Sequence, residues 1–93
     1  MTHYTLEHPD IGRYVTDGRK HRFSPIVTRD HPNVVRFHSL NQVARCYIDQ
    51  HKVVPNPWLL QVWCNYDDGA DDVGWERIPQ ESIEEAVAEE VRQ

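Results

Sequence analysis

Only four glycines occur in the 93 residues (Gly12, Gly18, Gly69 and Gly74), each isolated, so no glycine-rich loop of the kind that cradles a phosphate is present. Two cysteines, Cys46 and Cys64, are too few for a disulfide framework. One falls on the flank of an expected helix and the other on an expected strand, which predicts two separate reduced thiols, the usual state in the cytoplasm. No apolar run approaches the ~18 residues of a membrane span. No basic segment followed by an apolar stretch opens the chain, so neither membrane contact nor secretion is expected. The sequence also lacks internal repeats, His-x-x-x-His pairs and Cys-x-x-Cys units. Nor are two carboxylates set in apolar surroundings, as a tuned acid–base pair requires. These absences point away from an enzyme and from a bound cofactor or metal.

What is present is charge, unevenly placed. The net charge is -5. Residues 1–53 carry eight Lys/Arg against five Asp/Glu, and residues 54–93 carry two against ten, so a +3 half is joined to a -8 half. All six histidines lie in the basic half. A bipolar distribution of this kind steers encounters and leaves the fold undetermined. It also permits head-to-tail association into a homo-oligomer.

Length fits one domain, residues 1–93. Residues 1–10 hold no sustained period and read as an irregular or short extended arm. Ile11–Thr16 reads as a strand, and Asp17-Gly18 as a two-residue hairpin turn, because Asp and Gly tolerate the positive φ that such a turn demands. The return strand spans residues 19–28, with Pro25 marking an edge or a bulge. Residues 34–38 form a third short strand. Ser39-x-x-Gln42 is a capping box, and Leu40, Val43, Ala44, Tyr47 and Ile48 fall on one helical stripe that ends near His51. Residues 58–66 form the most apolar strand and residues 74–78 its antiparallel partner. Pro79 opens a last helix with Ile83, Ala86, Val87 and Val91 on one face. The order βββ-α-ββ-α predicts an α+β fold: a small antiparallel sheet of about five strands with two helices.

Several motifs echo known sites. His8-Pro9-Asp10 resembles the tripeptide of J-domain co-chaperones, but a strand rather than a helix follows it, and the reading is a Pro-Asp turn with an exposed histidine. Residues 65–76 place oxygen ligands as a calcium loop would, yet Ala70 stands where the sharp-turn glycine belongs and Val73 replaces a ligand. The segment therefore reads as a solvated acidic hairpin loop. A zinc site would have to be assembled across loops from His21, His31 and His38, which makes a metal-dependent hydrolase the outsider.

Two surfaces remain. The acidic one comprises Asp67, Asp68, Asp71 and Asp72, followed by Trp75 and Glu76 and by Glu81, Glu84 and Glu85. At 100° per residue the helical carboxylates lie opposite Ile83 and Ala86 and should face water. This surface suits a positive groove on a protein partner, with Trp75 as an anchor. The basic one comprises Arg13, Arg19, Lys20, Arg22 and Arg36, with Tyr14 and Phe23 for stacking, and suits nucleic acid. A two-residue turn would set Arg13 directly opposite Arg22, an unfavourable pairing. Size, acidity and the lack of a catalytic motif are similar to those of phage- or plasmid-borne inhibitors such as anti-CRISPR proteins; the resemblance is one of type and assigns no residues. The expectation is a small acidic, non-enzymatic protein-binding module that blocks a partner's surface, with a nucleic-acid-binding regulator as the alternative.

Overall fold

The computed structural model describes residues 2–25, 28, 31–65 and 74–92. Five antiparallel strands, β1 (His3–His8), β2 (Gly12–Thr16), β3 (His21–Ser24), β4 (Gln61–Asn65) and β5 (Trp75–Arg77), form one sheet in the order β3-β2-β1-β4-β5. Two helices, α1 (Leu40–His51) and α2 (Gln80–Arg92), complete the expected α+β arrangement in the expected order. A single 3-10 turn, Pro57–Leu59, precedes β4.

The segments that supply the first three strands differ from expectation. The presumed arm contains β1, the central strand of the sheet, and residues 34–38 do not form a strand. β1 and β2 pair only at Glu7↔Arg13 and His8↔Gly12 before they diverge. The segment 33–37 fills the split. Tyr4 and Phe37 exchange both main-chain bonds at 2.8 Å, Val35 N donates to the Tyr14 carbonyl, and Thr16 N donates to that of Asn33. Val34 is buried there against Val15.

Register gives each side of the sheet its character. Leu6 pairs with Val62 and Tyr14 with Phe23, and this side meets the helices. Its core is Leu6, Tyr14, Val43, Tyr47, Leu60, Val62 and Ile83. Val43 and Tyr47 therefore pack with Leu60 and Val62 as the helical stripe requires, and Leu40 joins them from the edge. Ile48 does not join this cluster; it stays half-buried at the surface between the helices. Val91 likewise turns outward, 70% exposed.

The opposite side carries Thr5, Glu7 and Asn65, all buried although polar, together with Ser24 and Arg13. The Arg13 Nε lies 3.4 Å from the Glu7 carboxylate. Gly12, at φ +101°, sits where the chain passes under Ser24, and a Cβ at this position would collide with the Ser24 carbonyl.

His8 is buried rather than exposed. Its Nε2 donates to the Pro55 carbonyl at 2.7 Å and to that of Asn56 at 3.1 Å, and its Nδ1 accepts from Asp10 N. Carbonyls only accept and an amide only donates, so these contacts place the proton on Nε2. The tripeptide His8-Pro9-Asp10 thus ties the end of β1 to the connection between α1 and β4.

Candidate functional site

The hairpin tip is broader than a two-residue turn. Thr16↔His21 is the last pair, so residues 17–20 form the connection. The Asp17 carboxylate accepts from the main-chain N–H groups of Arg19 and Lys20. Those two bonds hold its carboxyl below the usual pKa. Register consequently moves by two residues. Arg13 faces Ser24, and Arg22 faces Val15, so the expected Arg13–Arg22 juxtaposition does not arise.

Of the basic set, Arg19, Lys20 and Arg22 are exposed at this tip. Arg22 has only a loose, solvent-exposed pairing with Asp17 at 4.0 Å. Arg13 belongs to the Glu7 ion pair on the far side of the sheet. Arg36 is half-buried and donates to the carbonyls of Val34 and His31. Tyr14 is in the core, with His21 stacked against it at 5.5 Å and Phe23 tilted at 5.2 Å. Its ring is therefore covered by its own chain, and only the half-buried Phe23 remains for stacking on a base.

Of the acidic set, Asp67, Asp68, Asp71 and Asp72 lie outside the described residues. Glu76 is exposed on β5, and Glu81, Glu84 and Glu85 are exposed on α2. Trp75 is half-buried, edge-on to His3 at 5.3 Å. β3 and β5 are the two edges of the sheet, and α2 begins three residues after β5. The hairpin cations Arg19, Lys20 and Arg22 thus flank the β3 edge, whereas Glu76 lies beside Arg77 on the opposite edge strand, with the exposed carboxylates of α2 following it in the chain.

His21, His31 and His38 do not converge. His21 stacks on Tyr14, and His31 Nδ1 accepts from Asn33 N. Among the described residues no three His, Cys, Asp or Glu side chains are grouped as metal ligands. No helix among them is long and apolar enough to cross a membrane. Cys46, on the inward side of α1, lies beside the Tyr14 hydroxyl, and burial pushes its thiol up to about 11, the opposite of an activated nucleophile.

One feature escaped the sequence. Residues 58–66 read as a continuous strand, but Asn56 adopts the left-handed region (φ 48°) and Pro57 follows, so the chain makes a 3-10 turn there. Trp58 is thereby carried off the sheet and left 70% exposed. It stands at one end of a groove of about 560 Å³ that Tyr47, His51, Gln80 and Glu84 also line. Through Tyr47, His51 and Val87 this groove continues into a second hollow of about 290 Å³ bounded by Ile48, Lys52 and Val91. Besides Trp58, Val53 and Val91 are the large apolar side chains exposed among the described residues. The Pro55-Asn56-Pro57 run was the only local signal that the strand starts later than its apolar content suggests. No family model matches this chain, and neither a curated protein nor a solved structure matches it.

Proposed function

We propose that the protein is a non-enzymatic protein-binding module whose acidic edge, Glu76, Glu81, Glu84 and Glu85, docks a positively charged surface of a partner protein and blocks it. The observation that carries this reading is the separation of charge across the sheet: Glu76 is exposed on the β5 edge strand and Glu81, Glu84 and Glu85 on the helix that follows it, whereas the hairpin cations lie at the opposite edge. None of the four has an ion-pair partner among the described residues, unlike Glu7 and Glu90, which face Arg13 and Arg45. Such a surface acts mainly on association rate and partner choice. Trp58 and the groove beside it supply the apolar contact that a purely electrostatic surface lacks.

Affinity capture from the source cells at low and moderate salt tests the reading, with wild type beside the triple variant E76Q/E81Q/E85Q. A protein retained by wild type, released by salt and missing from the variant is the expected result. Equal capture by both sinks it. The exposed cations Arg19, Lys20 and Arg22 favour a second reading, nucleic-acid binding at the hairpin. Retention that vanishes on nuclease treatment and survives the triple variant would select it.

A further inference from the structure

Deepening the reading above, and resting on it, we infer that the groove beside Trp58 is a receptor pocket for one arginine or lysine side chain of the basic partner. Its walls combine the features that recognise such a side chain. Trp58 presents an indole that is 70% exposed, and Tyr47 and His51 add two rings whose centres are 5.6 Å apart at 43°. A cation over an aromatic face is attracted by the ring's negative quadrupole, most strongly for indole. Glu84 places a carboxylate in the same groove. Gln80 Nε2 donates to the Tyr47 hydroxyl at 3.2 Å and so fixes the polar end of that wall.

Helical geometry aims Glu84 more directly at the groove than Glu81 or Glu85, with Glu81 about 60° away from it. At 100° per residue, Gln80, Glu84, Val87, Ala88 and Val91 share one arc of α2, whereas Glu85 lies about 100° beyond Glu84. The Val87 and Ala88 surface in this arc suits the methylene stem of a long cationic side chain. Charge also sets the direction. Lys52 stands at the far hollow with Ile48 and Val91, so a second cation is disfavoured there and an apolar side chain fits. The partner segment that matches has a cation at the Trp58 end and an aliphatic residue at the Val91 end.

The test uses N-acetyl-arginine methylamide as the probe and the neutral isostere N-acetyl-citrulline methylamide as its control, followed by amide and indole NMR shifts. The arginine probe should move the Trp58 indole N–H and the Glu84 and Ala88 amides along saturating curves. The citrulline probe should give at least a fivefold weaker response. Trp58→Ala and Glu84→Gln, both at exposed positions, should abolish the response while the rest of the spectrum stays dispersed. Equal response to citrulline, or shifts confined to Glu76, Glu81 and Glu85 with Trp58 unmoved, overturns the inference. The two readings fail separately. If capture of the partner survives W58A/E84Q, the pocket is wrong and the acidic edge stands. If the triple variant E76Q/E81Q/E85Q captures normally yet the arginine probe still fills the groove, the pocket stands and the acidic edge does not.

Discussion

Tyr14 and Cys46 meet where β2 passes beneath α1, and their ionisation is set by that burial. Burial, reinforced by the neighbouring thiol and by Asp49, raises the Tyr14 hydroxyl to about 12, and burial raises the Cys46 thiol to about 11. Both pKa values lie above those of the unfolded chain. The folded state therefore holds these protons where the unfolded chain has released them, and stability falls as pH rises from about 9 to about 12. Urea unfolding across this window should show the loss, and Tyr14→Phe combined with Cys46→Ala should flatten it; an unchanged slope would mean that neither group titrates in the core. Gly12 is a second residue-scale constraint, because positive φ and the Ser24 carbonyl both exclude a side chain. Gly12→Ala should cost more than about 1 kcal/mol, whereas the open surroundings of Gly18 leave only the strain of its φ. His8 is the third. His8→Ala removes a fully buried ring together with its bonds to the Asp10 N–H and to the Pro55 and Asn56 carbonyls, at a cost of about 1–3 kcal/mol in a denaturant titration.

At the level of elements, legibility followed whether the signals were local. The Ser39 hydroxyl accepts from Gln42 N at 3.2 Å, and Gln42 reaches back to His38 N at 3.0 Å, one residue beyond the box partner. α1 could be read because cap and stripe lie within twelve residues. β1 could not, because its alternation of Tyr4, Leu6 and His8 with Thr5 and Glu7 mixes polar groups into both sides. Of these, His8 and Glu7 are received by other segments, Pro55 for His8 and Arg13 for Glu7. The hairpin register was misread because the Asp17 carboxylate caps two N–H groups and widens the turn, a choice that the Asp-Gly pair alone does not reveal. Two comparisons follow. Leu6→Ala removes a fully buried side chain and should cost about 2–5 kcal/mol, while Ile48→Ala, at the groove, should cost clearly less; equal losses would return Ile48 to the core. Thr5→Pro deletes a ladder donor in the central strand, and loss of cooperative unfolding is expected.

For the whole molecule, dimensions of 34 × 26 × 23 Å exceed the ~8–10 Å over which salt screens charge at physiological strength. Each edge of the sheet therefore presents its own field to a partner, and the net charge of -5 describes neither. The charge division was legible from residue order, but its projection onto opposite edges needed the strand order, and the Trp58 groove needed the turn at Asn56. The central place of β1 bears also on how the chain is made. His3 pairs with Asn65, 62 positions later. At a synthesis rate of roughly 5–20 residues per second, β1 leaves the ribosome some 3–12 seconds before β4 can exist. During that wait β1 has only β2 and the 33–37 segment beside it, and Leu6, fully enclosed in the finished sheet, is left without its partner Val62.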